Sequence, residues 1–451
     1  MSDIFQKFDQ FVFSKMCETK LPSETVAVVQ DGKIVHSRAF GFKNVESALS
    51  TRVETLYGVG SVTKSFTALA ICKLAEEGRL DLHDPVSKFL PMRGSLFDEI
   101  EIHHLLTHSS GIPGLGWAEV HIFSTIGQSR NWLPVSSVED MDCFMDDVED
   151  WKEAKPGSKF FYLNEGYYLL GEIVSRVSGS SYYDYLRENI LDPLNMKRTF
   201  LSKEQVEGDG NFATPYVVSE DKVTPSVVPW GSGAAGGIMS NVIDLSNYVM
   251  MYLNKGELDG KRIVSKETIE RMETSYSKPP RSIFQNMGYG YGLFVTDDFY
   301  GQKLVRHDGS VSVYLSGMAF LPEKGIGISL LCNGEGYSPL VMTVYALSLM
   351  LGKDPEKELA PVKRENLLKR LEGTYRAYKG TIAAEIKRKG DFLMLSGEDI
   401  GSTILVPEKE WESCEGATFY TLSGTAKMEV EFRFNKYGTE MIYERYRYRK
   451  D

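Results

Sequence analysis

Ser61-Val62-Thr63-Lys64 opens a run in which Phe66, Leu69, Ala70, Ile71, Leu74 and Ala75 recur at helical spacing and Gly78 supplies a stop. The spacing predicts a helix. Ser61 and Lys64 then stand one turn apart on the same face. A hydroxyl is a poor nucleophile until something takes its proton. An amine held beside it, with its pKa lowered by burial or by neighbouring positive charge, can do that. The helix N-terminus also aims free N–H groups and the positive end of a dipole at any negative charge that develops there. A lone S-x-x-K on a helix is most often an ordinary surface pair, so the rest of the chain decides its meaning.

The chain has 451 residues, enough for two or three domains. Hydrophobic residues make up 42% and charged residues 25%, an average globular balance that excludes a disordered or fibrous chain. The formal net charge of -11 argues against phosphate backbones and anionic membranes as partners, since both call for basic patches. No window approaches the apolar length of a membrane span. The start, Met-Ser-Asp-Ile-Phe-Gln-Lys-Phe-Asp, is amphipathic without a secretory pattern, so a cytoplasmic location is expected. Cys17, Cys72, Cys143, Cys332 and Cys414 are scattered and unpaired in spacing. Free thiols are expected, rather than a disulfide framework or a zinc cluster.

Residues 5–16 read as an amphipathic helix, and residues 26–30 and 33–41 as two strands joined by a tight turn at Asp31-Gly32. A strand over 57–60 leads into the Ser61 helix. Residues 101–113 give a short helix ended by Gly111 and Pro113. Residues 114–155 have no strong period and hold acidic residues (Glu139, Asp140, Asp142, Asp146, Asp147, Glu149, Asp150). They read as an elaborated loop with short helices over the active face, or as a solvated insertion. A helix over 167–178 follows, then a tight turn at 234–237 and a helix capped by Asn241 or Asp244. Strands are expected at 304–306, 314–320 and 326–332, and a final apolar helix at 340–351. The pattern is α+β: a mixed sheet with helices from both ends of the domain and a helical subdomain inserted between strands.

Gly352 to Asn366 holds Pro355, Pro361 and many charges, and reads as a linker. Beyond it the texture is β only. In Lys427-Met-Glu-Val-Glu-Phe-Arg-Phe434 even positions are apolar and odd positions charged. Turn signals at 389–391, Gly424 and 436–438 separate seven or eight short strands, which suggests a small antiparallel barrel with a filled core. The expected domains are therefore 1–352, a linker 353–366 and a barrel 367–451.

Two further motifs fall where sheet and helical subdomain would meet Ser61: Tyr162-Leu163-Asn164, and His307-Asp308-Gly309 after the strand at 304–306. With these the chain resembles the serine β-lactamase and penicillin-binding-protein superfamily, in the class C-like branch that holds CubicO-type esterases and D-amino-acid peptidases. Leu105-Leu-Thr-His-Ser-Ser-Gly-Ile-Pro113, Pro156-Gly157, Gly166-Tyr-Tyr-Leu-Leu-Gly-Glu-Ile-Val174, Ser178-Gly179 and Pro193-Leu-Asn-Met196 are similar to framework segments of that branch. The likeness covers roughly residues 5–350 and implies the β-lactamase/transpeptidase-like fold. The tail resembles the lipocalin-like barrel of some members, among them archaeal CubicO-type peptidases that assemble as closed octamers.

The resemblance implies roles. Ser61 would be the acylated nucleophile, with Lys64 and Tyr162 sharing its proton; Lys64⁺ would hold Tyr162 as phenolate or relay charge. Which of the two takes the proton first is left open. Asn164 would donate to the substrate carbonyl and orient Lys64. The backbone N–H groups of Ser61 and Ser310 would form the oxyanion hole. Gly309 would let an extended substrate approach the strand edge. His307 stands where penicillin-recognising members carry Lys, and would donate one hydrogen bond or join in proton transfer. Val311 and Tyr314 replace small residues, which should narrow the cleft. His104 and His108 have metal-ligand spacing but no H-E-x-x-H pattern, so a structural role is expected. No metal and no organic cofactor is expected.

The function so implied is a serine peptidase acting on short peptides, D-residue-containing ones included, through a Ser61 acyl-enzyme. A carboxylesterase is the alternative within enzymes. β-Lactamase action ranks below both because position 307 lacks a permanent charge. A catalytically idle peptide- or lipid-binding module is the alternative of another class. The partners expected are a small peptide substrate and further copies of the chain, an octamer by resemblance, with no nucleic acid or membrane. The barrel is expected to restrict access to the cleft.

Overall fold

The computed structural model describes residues 2–92, 95–131, 138–219, 222–280, 284, 286–390, 392–398, 400–408, 416–423 and 426–451. The turn expected at Gly424, Asp391 of the 389–391 turn, Cys414 and the side chain of Glu139 lie outside the described residues. The chain forms two compact units, Met1–Gly352 and Lys353–Asp451.

In the first unit, eight strands lie side by side in the order Met287–Tyr289, Phe294–Phe299, Gln302–Ser310, Leu315–Leu321, Ile326–Cys332, Ser23–Gln30, Lys33–Asn44 and Leu49–Ser50. Every ladder is antiparallel. The first strand of the chain pairs with the last of this unit, from Glu24 opposite Cys332 to Gln30 opposite Ile326. Ser23–Gln30 is buried on both faces over nearly all its length, so helices must cover the sheet on either side. The terminal helices Ser2–Thr19 and Pro339–Met350 meet through Phe11 and Tyr345, whose rings stack 3.7 Å apart.

Between the strands Leu49–Ser50 and Met287–Tyr289 comes the helical body. At its centre runs Thr63–Glu76, buried at every position from Thr63 to Cys72. A helix buried all round belongs to the core rather than to the surface. It packs on Asn164–Ser178 and on the short helix Gly233–Gly236. Helix Val242–Leu253 is capped by Asn241, whose Oδ1 accepts from the N–H groups of Ile243 and Asp244, each at 3.0 Å.

Two boundaries differ from expectation in ways that matter for the site. The strand expected at 304–306 runs from Gln302 to Ser310, so the His307 motif lies within it rather than after it. Pairing of Gly309 with Ser316 and Ser310 with Leu315 holds residues of low strand propensity extended. Asn164 is the first residue of its helix rather than part of a preceding loop.

The second unit departs from expectation at its start. Residues expected as a linker form helices Pro355–Glu358 and Ala360–Leu371. Both prolines sit in the first turn, where a missing N–H costs nothing and the ring's φ suits the helix. Leu368 and Leu371 join the core of the closed eight-stranded barrel that follows, in which each strand pairs with the next and the first with the last. The even positions Val430 and Phe432 point inward with Tyr375, Leu393 and Met441, so the interior is filled by side chains.

Candidate active site

Ser61 sits in a single 3-10 turn, Gly60–Val62, that runs directly into helix Thr63–Glu76. Two glycines let this turn approach the strand Gln302–Ser310. A β-carbon on Gly309 would lie 2.0 Å from the Val59 carbonyl oxygen and 2.9 Å from the Ser61 nitrogen. One on Gly60, whose φ is +50°, would lie 2.7 Å from the Ser310 nitrogen. Gly309 is therefore needed for the nucleophile turn, a demand separate from the substrate approach expected of it. The same packing brings the Ser61 nitrogen close to Gly309 and the Ser310 nitrogen close to Gly60.

Lys64 is fully buried. Its Nζ lies 3.1 Å from Ser61 Oγ, 2.8 Å from Asn164 Oδ1 and 2.7 Å from the Ala235 carbonyl oxygen. A neutral amine can donate two N–H bonds, to Asn164 and Ala235, and turn its lone pair to the Ser61 hydroxyl. Burial lowers its pKa from 10.5 to about 7, with Glu119 and Glu165 opposing that shift.

Tyr162 lines the cleft together with Ser61. Desolvation holds its pKa well above the ordinary phenol range, the nearby Ser61 hydroxyl offsetting this in part. The Lys64 Nζ stands 4.8 Å from the centroid of its ring. Of the two bases left open, the lowered Lys64 pKa and the raised Tyr162 pKa both weigh towards Lys64.

His307 does not enter the cleft. It is 1% exposed, and both ring nitrogens are engaged: Nε2 with the Tyr289 hydroxyl at 3.1 Å and Nδ1 with the Asp308 carbonyl at 2.7 Å. The Asp308 carbonyl can only accept, so Nδ1 carries the proton and Nε2 accepts from Tyr289. Burial, then the nearby Lys64, push its pKa down to about 3. The catalytic role expected for His307 would need one of these two hydrogen bonds to open. His307 is a neutral imidazole behind Tyr162, with ring centroids 6.5 Å apart.

Tyr314 also differs from expectation. It is fully buried, donates to the Ala213 carbonyl and packs under Gly58, leaving Val311 alone of the two at the cleft wall. His104 and His108 hold backbone rather than metal. His104 Nδ1 accepts from the Glu101 N–H at 3.0 Å, and His108 Nδ1 from the Leu163 N–H at 3.0 Å.

Sequence reasoning missed what His108 does for Tyr162. Its carbonyl accepts from the Phe161 N–H at 2.8 Å, its ring nitrogen accepts from Leu163, and its ring lies 4.1 Å from the Tyr162 ring. The backbone on either side of Tyr162 is thus tied to one residue, itself held at φ +54°. Among the short helices expected over the active face within 114–155 is Trp117–Thr125, which brings Ala118, Glu119, Ile122 and Phe123 to the cleft. Without a clear period there, the sequence did not show which of these residues face Ser61.

Comparison with known proteins places this constellation. The sequence model described as Beta-lactamase matches residues 4–347. The chain belongs to the β-lactamase family. A second model, described as the Pab87 octamerisation domain, matches residues 355–449, the barrel unit. The structure of the octameric penicillin-binding protein homologue from Pyrococcus abyssi is 46% identical, covers 98% of this chain and 99% of that one, and superposes with a TM-score of 0.92. A class C β-lactamase is 23% identical over 77% of this chain and 96% of its own, with a TM-score of 0.63, a likeness of fold. Protein flp of Staphylococcus aureus (strain MW2) is 28% identical over 342 residues, 74% of this chain and 64% of that protein. Penicillin-binding protein 4* of Bacillus subtilis (strain 168) is 25% identical over 67% of this chain and 66% of its own length. The match thus spans just under two thirds of the length of these curated relatives. Members of the β-lactamase fold family are serine hydrolases. Among the described residues no helix is long and apolar enough to cross a membrane.

Proposed function

We propose that the chain is a serine peptidase that hydrolyses short peptides, D-residue-containing ones included, through an acyl-enzyme on Ser61. The observation that carries the acyl-transfer reading is the Lys64 amine, 3.1 Å from Ser61 Oγ and with a pKa lowered to about 7. In this reading neutral Lys64 takes the Ser61 proton as Oγ attacks the carbonyl carbon. The carbonyl oxygen gains the charge beside the backbone N–H groups of Ser61 and Ser310. The neutral Tyr162 hydroxyl gives its proton to the departing amine and regains one from the Lys64 ammonium. Water then attacks the ester with the same base. Asn164 orients Lys64, and His307 and His108 position Tyr162.

The peptide substrate and the inclusion of D-residue-containing peptides rest on the resemblance of the S-x-x-K, Y-x-N and H-x-G motifs to the CubicO branch. The barrel, matched by an octamerisation domain and shared with an octameric homologue, supports assembly of this chain into a homo-octamer. We assign the chemistry to residues 1–352 and the assembly to the remainder.

A digest of short peptide libraries built from D- and L-residues tests the reading. Amide cleavage that includes D-residue sites and vanishes in Ser61→Ala is expected. Turnover of p-nitrophenyl esters without any amide cleavage would instead make the protein a carboxylesterase.

A further inference from the structure

The wall of the cleft beside Ser61 carries a carboxylate and, among the described lining residues, no cationic side chain. That carboxylate is Glu119, exposed on helix Trp117–Thr125. Its Oε1 accepts from Asn164 Nδ2 at 3.2 Å, and its second oxygen has no hydrogen-bond partner among the described residues. Asn164 in turn holds the Lys64 amine through Oδ1 at 2.8 Å. The carboxylate thus stands one amide side chain away from the group that activates the nucleophile. A cation bound there belongs to the residue whose carbonyl Ser61 attacks, or to its immediate neighbour.

The surroundings narrow the class further. Ile122 and Phe123 follow Glu119 by three and four positions, so all three share one helix face, and Ala118 lines the cleft beside them. An α-amino acid presents this pair of features from one carbon, an ammonium and an apolar side chain. A substrate recognised by its carboxylate would meet Glu119 as a like charge.

We infer that the cleft selects peptides and amino-acid amides with a free N-terminal α-ammonium and an apolar first residue, Glu119 holding the ammonium and Ala118, Ile122 and Phe123 the side chain. The inference rests on the serine-hydrolase reading and specifies its substrate.

The test uses the full-length protein at pH 7 with the p-nitroanilides of D- and L-phenylalanine, each with a free and with an N-acetylated amine. Charge-assisted hydrogen bonds of this kind give a kcat/KM for the free amine roughly ten- to a hundredfold above that for its acetylated counterpart. Glu119→Gln keeps an acceptor for Asn164 but loses the charge, and the ratio of the two kcat/KM values should fall at least tenfold. Equal or faster cleavage of the acetylated substrates would overturn the inference and leave the hydrolase reading standing. A ratio unchanged in Glu119→Gln would overturn it as well, since Glu119 would then act through Asn164 and Lys64 alone. No cleavage of any of the four, together with no Ser61-dependent covalent adduct, would sink the hydrolase reading and the inference with it.

Discussion

Replacing Lys64 by Arg keeps a cation and its hydrogen-bond donors while removing the base, because a guanidinium does not deprotonate in proteins. Burial brings Lys64 from 10.5 to about 7, a difference worth about 5 kcal/mol in the balance between ammonium and amine. About half of the protein is then ready to act at pH 7, against roughly three molecules in ten thousand for an unperturbed lysine. Ester hydrolysis followed from pH 5 to 9 should show log kcat/KM rising with unit slope and levelling off near pH 7. Lys64→Arg should lose roughly 10²- to 10⁴-fold on the plateau, the span of a general base, and should lose the limb near 7. Glu119 opposes the depression of Lys64, so Glu119→Gln should move the limb to lower pH. A limb still climbing at pH 9, or a Lys64→Arg protein within tenfold of wild type, would refute the assignment of Lys64 as the base.

Three other substitutions follow from the same geometry. His108→Ala leaves the Leu163 N–H without its acceptor, which costs about 1–3 kcal/mol in urea unfolding, and should lower kcat more than it raises KM; an unchanged kcat would show that Tyr162 holds its place without His108. Gly309→Ala drives a methyl against the Val59 carbonyl, and should abolish acylation of Ser61; labelling at the wild-type rate would contradict the close approach. Glu24, buried beside Cys332, has a carboxyl pKa raised to about 8, chiefly by desolvation. Its folded pKa lies above the unfolded one, so its contribution is intact below pH 4.5 and is lost as pH rises towards 8. That loss is roughly 3 kcal/mol at pH 7. Glu24→Gln should flatten the fall in urea midpoint between pH 5 and 8, and parallel curves for the two proteins would contradict the shift.

The Ser61 helix was legible because apolar period, stop glycine and S-x-x-K coincide on one short stretch. The barrel was legible for the same kind of reason, since alternation in residues 427–434 is a local property. What sequence could not show was set by partners remote in the chain. His307 reads as a cleft residue from its place in the motif, yet the Tyr289 hydroxyl and the Asp308 carbonyl take both its nitrogens. Gly309 reads as room for substrate, yet the turn at Val59 and Ser61 makes a separate demand on it. Pro355 and Pro361 read as linker because a proline inside a helix breaks it, whereas in the first turn it starts one. Glu119 was invisible because its meaning comes from Asn164, forty-five positions away.

Intact-mass spectrometry after exposure to a fluorophosphonate probe tests most directly whether a buried amine arms one serine. A single adduct on the wild type, absent from Ser61→Ala and formed at least a hundredfold more slowly in Lys64→Arg, is the predicted result. No adduct on the wild type, or one that survives Ser61→Ala, would contradict it.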